Sequence, residues 1–385
     1  MTKFQPTENV QDLEALSAHK RSALRNRAMR LEDRWQQFRF GLARRRGLDI
    51  TVLSFAGYGT QQWVRVFSRV VMTRDAQFEN GRRVAKVIAD GVRGWRNFIS
   101  APVPFADVTV TVGGRSVSLT ADRGGNVDAV IEVPLEPGWH QVTLQTAGSE
   151  PTSAEVFVIA DGTATGVVCD IDDTVVVTKL PRPMLAAWNS FVLDEHARTP
   201  TPGMAVMMER LMMTYAGSPV LYISTGAWNV AQTLTRFLTR NLYPEGPLLL
   251  TDWGPTEDRW FRSGKAHKVE QLERLAGEFP RMRWILIGDD GQHDPTIYAE
   301  FARRYPDAVA AVIIRELTYS EAMLAGGRAE HPNRDAGGQA TGWTDTGDVI
   351  QNVGERRIPW IYGPDGKDLV WKLEQHGLLR PARES

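Results

Sequence analysis

VVCDIDDTVVV, residues 167–177, puts three carboxylates within four positions, between two apolar, β-branched runs. The runs predict a buried strand with Asp170 at its end. Ionised carboxylates in apolar surroundings are costly or change their pKa. Asp170, Asp172 and Asp173 therefore call for a compensating charge from elsewhere in the chain.

Outward from this stretch, from about 164 to 318, strand-like and helix-like segments alternate. VVCDI, PVLYIS, LLLTDW, RWILIGD and AVAAVII read as strands; 202–215, 228–240, 265–278 and 294–305 read as helices. Such alternation predicts an α/β domain with an open, mostly parallel sheet, whose ligands sit at the carboxyl ends of the strands. Ser224 ends LYIS, Asp289 ends WILIGD, and Lys268 lies near the start of a helix. One crevice would then gather Asp170, Asp172, Ser224, Lys268 and Asp289. A carboxylate nucleophile, a second carboxylate, a hydroxyl, an ammonium and a distant aspartate suit phosphoryl transfer through an aspartyl phosphate. In this reading Asp170 attacks phosphorus and Asp172 serves as acid and then base. Ser224 bonds a phosphoryl oxygen. Mg²⁺ at Asp170, Asp289 and the backbone carbonyl of Asp172, together with Lys268, offsets the negative charge.

These residues carry a resemblance. DIDDT at 170–174 resembles the DxDxT signature of the haloacid dehalogenase-like phosphatases, with Ser224, Lys268 and Asp289 in the order of their later motifs. More narrowly, DIDDTV, YISTGAWN, HKVEQLERLAGEFP and LIGDDGQHDPTIY are similar to the actin-patch phosphatidate phosphatase family. The resemblance spans roughly 165–315, with a weaker echo in GYGT at 57–60. It implies a haloacid dehalogenase-like Rossmannoid fold and a Mg²⁺-dependent phosphomonoesterase acting on phosphatidate or a related phosphate. The alternatives are a phosphatase for a soluble or protein phosphomonoester, and a catalytically silent scaffold.

Several positions have rivals. Lys265 competes with Lys268 by chemistry; the spacing of Lys268 to Phe279-Pro280 matches the family segment. Thr225 competes with Ser224. Asp173 is read as pointing away or bonding locally, and Asp294 as either a helix cap or a neighbour of the metal. GDDG stands where the family leads one to expect GDSG, so Asp290 is expected to add a carboxylate beside the metal. Roughly 50 residues separate Thr174 from Ser224 and about 40 separate Ser224 from Lys268, which leaves room for a minimal cap only. The resulting open cleft suits a phosphate on a bulky carrier. Lys179 and Arg182 are either headgroup-steering or ordinary surface charges.

The flanks read differently. Residues 1–49 form a basic amphipathic helical segment, with apolar Leu13, Leu16, Leu24, Met29, Leu31, Trp35 and Phe38 at roughly helical spacing. Its arginine-rich half either lies on an anionic membrane surface or faces solvent from a docked helix. Residues 50–160 hold short alternating runs such as DVTVTV and HQVTLQT between glycine turns, which predicts a small antiparallel β-sandwich. The domain reading continues with a phosphatase domain at 161–318. Residues 319–385 follow as a loop-rich extension ending in a short helix.

The 385-residue length implies several domains. At 42% hydrophobic and 24% charged residues, the composition is that of a soluble globular protein. A net charge of −1 gives no reason to expect a nucleic-acid partner. The single cysteine, Cys169, cannot form an internal disulfide and reads as core filler. Without a secretion-type apolar N-terminus, the expected location is cytoplasmic, with peripheral membrane contact through the basic helix left open.

Overall fold

The computed structural model describes residues 48–73, 101–177, 199–251, 257–291, 293–318, 321, 348–353 and 355–381. The basic segment before residue 48 lies outside these residues, as do Lys179, Arg182 and any cap between 178 and 198.

β-Branched and alternating residues build the first unit. Its strands are β1 (Asp49–Thr60), β2 (Trp63–Thr73), β3 (Ala101–Pro102), β4 (Asp107–Val112), β5 (Arg115–Thr120), β6 (Asn126–Glu132), β7 (Gly138–Thr146) and β8 (Thr152–Ile159). They form one eight-stranded sheet in the order β3-β2-β1-β8-β7-β4-β5, with β6 also on β2. Val108, Val110, Val142, Leu144, Val156 and Val158 point inward from alternate positions and are fully buried or nearly so. The expectation of a purely antiparallel sandwich is corrected on two points. The strands belong to one continuous sheet, and β1 pairs with β8 in parallel, Gly57 opposite Val156.

The second sheet has seven strands in the order β13-β12-β9-β14-β15-β17-β16. They are β9 (Thr165–Asp170), β12 (Val220–Ala227), β13 (Leu248–Thr251), β14 (Arg283–Asp289), β15 (Val309–Arg315), β16 (Val349–Val353) and β17 (Arg356–Gly363). β9 is central, parallel to β12 on one side and β14 on the other. Its residues Val167, Val168 and Cys169 are wholly buried, which explains the continuous apolar run. Short strands β10 (Val176–Val177) and β11 (Thr199–Pro200) pair as a separate antiparallel ribbon just beyond the carboxylates.

Five α-helices are described: α1 (Met204–Thr214), α2 (Ala231–Arg240), α3 (Glu257–Glu278), α4 (Asp294–Arg304) and α5 (Gly366–Gln375). Met204, Met207, Met208 and Leu211 sit at helical spacing on α1 and are buried to the last atom. In the described part of 319–385 the expected short helix is present as α5, but the expectation of loop before it is corrected for 349–363, which forms two strands of the sheet. β17 joins β15 in parallel, β16 closes the edge, and α5 packs on α1. Buried Ile358, Trp360 and Ile361 secure this addition. Among the described residues no helix is long and apolar enough to cross a membrane.

The two sheets share a core. Phe55, Tyr58, Phe67 and Ile159 belong to the same apolar cluster as the parallel sheet. Trp228, just beyond β12, lies 4.6 Å from the ring of Phe55 and 5.6 Å from that of Phe67. A polar clasp adds to this. Tyr58 donates to Glu278 Oε2 at 2.8 Å, Arg65 binds Glu278 Oε1, and Arg274 reaches Asp128 at 2.8 Å. Both Glu278 and Arg274 lie on α3.

Candidate active site

Parallel strands end together, so the residues that terminate β9 and β14 meet at one edge of the sheet. Asp170 and Asp289 end these strands and are almost fully buried. Asp294, in the first turn of α4, joins them. One oxygen from each of the three carboxylates can be chosen so that all lie within 4.8 Å of one another. Gly288 makes the approach possible, because a Cβ there would stand 2.4 Å from Asp294 Oδ2. The cap-or-site alternative for Asp294 is therefore resolved by position: the N-cap place of α4 belongs to His293, and the Asp294 carboxylate accepts from Lys268 within the cluster.

Lys268 projects from α3 between two of these carboxylates. Its Nζ lies 2.6 Å from Asp170 Oδ1 and 2.5 Å from Asp294 Oδ1. Burial alone would depress this ammonium, but Asp170, then Asp294 and Asp289, outweigh it and raise its pKa above the ordinary lysine range. The rival Lys265 is exposed. Burial is also the main reason why Asp170 and Asp289 are pushed above the usual carboxylate range. Lys268 opposes the shift at both residues, while Asp294 adds to it. Gly291 N–H further holds Asp289 Oδ1 at 2.7 Å.

Asp172 stands apart from this group and is half-buried. Its Oδ2 accepts from Ser224 Oγ at 2.9 Å, and Ser224 in turn accepts from Gly226 N–H at 3.0 Å. The Asp172 carboxylate is not one of the three that form the cluster. Thr174 Oγ1 lies 3.4 Å from Asp170 Oδ2 and is itself buried. Thr225, the rival to Ser224, is half-buried, and its carbonyl accepts from Thr251.

One expectation needs correction. Asp290 Oδ1 accepts the backbone N–H of Leu317 at 2.8 Å, so this carboxylate ties down the exit of β15 and is not part of the three-carboxylate cluster. Asp173 is 4% exposed and adopts a left-handed φ of 58°, with its carbonyl accepting from Arg315 at 2.6 Å. Sequence reasoning also passed over Arg315 itself; the only signal was a charged residue closing the apolar run AVAAVIIR. Cys169 is wholly buried, and burial followed by the Asp170 charge pushes its thiol pKa up, consistent with a packing role.

A charged cluster of this composition can hold an oxygen-seeking cation and can place a carboxylate nucleophile beside a fixed ammonium. Residues 165–316 match the family described as "Phosphatidate phosphatase APP1, catalytic domain". The chain is 24% identical over 233 residues to phosphatidate phosphatase APP1 of Saccharomyces cerevisiae, covering 57% of this chain and 39% of that protein. It is 24% identical over 160 residues to an uncharacterized protein of Schizosaccharomyces pombe, covering 41% of this chain and 26% of the relative. This chain thus spans well under half the length of either relative. A carbohydrate acetylesterase structure from Xanthomonas citri aligns with 68% of this chain and 66% of its own, at 10% identity and a TM-score of 0.25. That likeness is too low to carry weight. The segment that builds the carboxylate site is the segment that resembles the phosphatidate phosphatase catalytic domain.

Proposed function

We propose that this chain is a phosphomonoesterase with a haloacid dehalogenase-like catalytic domain, that Asp170 is its nucleophile, and that its substrate is a lipid phosphate of the phosphatidate class. The observation that supports this most is the meeting of Asp170, Lys268, Asp289 and Asp294 at the carboxyl edge of the sheet, beside the Ser224–Asp172 pair.

Mg²⁺ fits the residues present. The donors are all oxygen, three buried carboxylates face one ammonium, and Asp294 Oδ2 is buried without a hydrogen-bond partner. Asp170, Asp289 and Asp294 are the residues that would hold the ion, with the Asp172 carbonyl as a further donor. When bound, it supplies positive charge that offsets a phosphate dianion beside these carboxylates.

The chain's own groups divide the work. Asp170 attacks phosphorus as the phosphorus–alkoxide bond breaks, and protonated Asp172 gives its proton to the departing oxygen. The ionised Asp172 then takes a proton from water, whose oxygen attacks the aspartyl phosphate and frees Asp170. The balance is phosphomonoester plus water to alcohol plus phosphate. Lys268 neutralises charge at Asp170 throughout, and Ser224 is placed to donate to a phosphoryl oxygen once it leaves Asp172.

The test is phosphate release from vesicles containing phosphatidate, beside a panel of soluble and protein phosphomonoesters, with Asp170→Asn as control. Lipid-selective release that vanishes in the variant is expected. Release only from soluble or protein esters would replace the lipid assignment, and activity surviving in Asp170→Asn would refute the mechanism.

A further inference from the structure

A buried arginine outside the proposed catalytic set is built into the nucleophile loop. Arg315 ends β15 and is 4% exposed, a placement that is costly for a charge unless its donors are engaged. Its Nη1 donates to the Asp173 carbonyl at 2.6 Å and its Nη2 to Glu321 Oε1 at 2.8 Å. Its own carbonyl accepts the N–H of Asp290, next to Asp289, at 3.0 Å.

The loop carbonyl that Arg315 holds is a sensitive one. Asp173 lies between Asp172, which is bonded to Ser224, and Thr174, whose hydroxyl faces Asp170. Its backbone is in the left-handed region, which aspartate tolerates better than most residues but which is still uncommon outside glycine. The far end of the guanidinium is anchored as well. Glu321 Oε2 accepts from the N–H and the hydroxyl of Thr318, both at 2.9 Å, and Glu321 N–H returns to that hydroxyl at 3.3 Å, a capping-box pattern.

We propose that Arg315 is a positioning residue: it fixes the turn at Asp173 and thereby the direction of Asp172 relative to Asp170. This role rests on the phosphatase reading above. Arg315 is too buried to meet a substrate, so it acts through the loop. Its planar fork reaches the two acceptors through separate nitrogens in one fixed geometry, whereas a lysine offers a single freely rotating ammonium.

The experiment compares wild type, Arg315→Met, Arg315→Ala, Arg315→Lys and Glu321→Gln for kcat, KM and Mg²⁺-dependent melting. Small misplacements of reacting groups are costly, so Arg315→Met should lose about 10–100-fold in kcat with KM little changed. Arg315→Lys should lose less, Glu321→Gln least, and millimolar guanidinium should partly restore Arg315→Ala. A folded Arg315→Met with wild-type kcat, or with a loss confined to KM, overturns the role. If Arg315→Met does not fold, wild-type kcat in both Arg315→Lys and Glu321→Gln overturns it equally. A wild-type protein that is silent on every phosphomonoester, though folded and Mg²⁺-loaded, defeats the phosphatase reading first and this role with it.

Discussion

Substituting Asp294 by Asn separates a metal-site residue from a helix cap. Asparagine is nearly isosteric with aspartate and the N-cap of α4 is His293, so the start of the helix is spared and the charge alone is removed. Two repulsions are relieved, toward Asp170 and Asp289. At the 4.8 Å outer limit of the cluster each is about 3–4 kcal/mol at an effective dielectric constant of 20. The attraction to Lys268 at 2.5 Å is lost, about 7 kcal/mol on the same scale. These terms nearly cancel, and the burial cost of one carboxylate disappears as well. The cation-free variant should therefore melt at or slightly above the wild-type temperature. Cation binding should suffer instead. Saturating Mg²⁺ at a hundred times its Kd stabilises wild type by about 2.7 kcal/mol. That corresponds to about 5–10 °C for a unit of this size. An affinity loss of at least about 10–100-fold in Asp294→Asn removes roughly half or more of that gain. Thermal melts across a Mg²⁺ titration measure both quantities. An unchanged Mg²⁺ shift, or a cation-free variant that melts far below wild type, would refute the reasoning.

Three further outcomes follow from the same geometry. Asp172→Asn should lose about 10²–10⁴-fold in kcat while still binding Mg²⁺, read by steady-state kinetics beside the melts; wild-type turnover would exclude Asp172 as the acid. Glu278→Ala strands the buried hydroxyl of Tyr58 and leaves Arg65 with Asp128 alone, and should cost about 1–3 kcal/mol in urea unfolding. Wild-type stability there would mean that the clasp between the sheets contributes nothing. The third outcome is a pH effect. In the cation-free protein Asp170 and Asp289 titrate above their unfolded values, chiefly through burial, so their protonated form favours folding at low pH. This contribution is lost as pH rises through the raised values, and a bound cation offsets the loss. Mg²⁺ should therefore raise the melting temperature more at about pH 8 than at about pH 5; an equal or reversed shift would contradict the assignment.

The sequence by itself determined which strands and helices alternate between 164 and 318 and which carboxylates stand at strand ends. Both are local properties: a continuous apolar run marks a strand buried on two faces, and its terminal residue follows directly. Asp170 and Asp289 at their strand ends were legible in this way. Ser224, by contrast, lies inside β12, which runs on to Ala227. Lys268 lies in the middle of α3 and not near its start, and its choice over the exposed Lys265 came from a family spacing. Only the tertiary structure decided the rest. Whether Asp294 caps α4 or enters the cluster depends on how closely that helix approaches β14 over Gly288. Asp290 turned to Leu317 at the exit of the neighbouring strand β15, and Arg315 reached past β14 to Asp173 in the loop after β9, across 142 positions of chain. RRIPWIYG gave a weak strand signal, with Pro359 and two leading arginines interrupting the pattern. It became β17 because the exposed edge of β15 offered a ladder and its apolar residues found a core. Periodicity records which face of a segment is buried, but not which distant segment buries it, and that second choice completes the site.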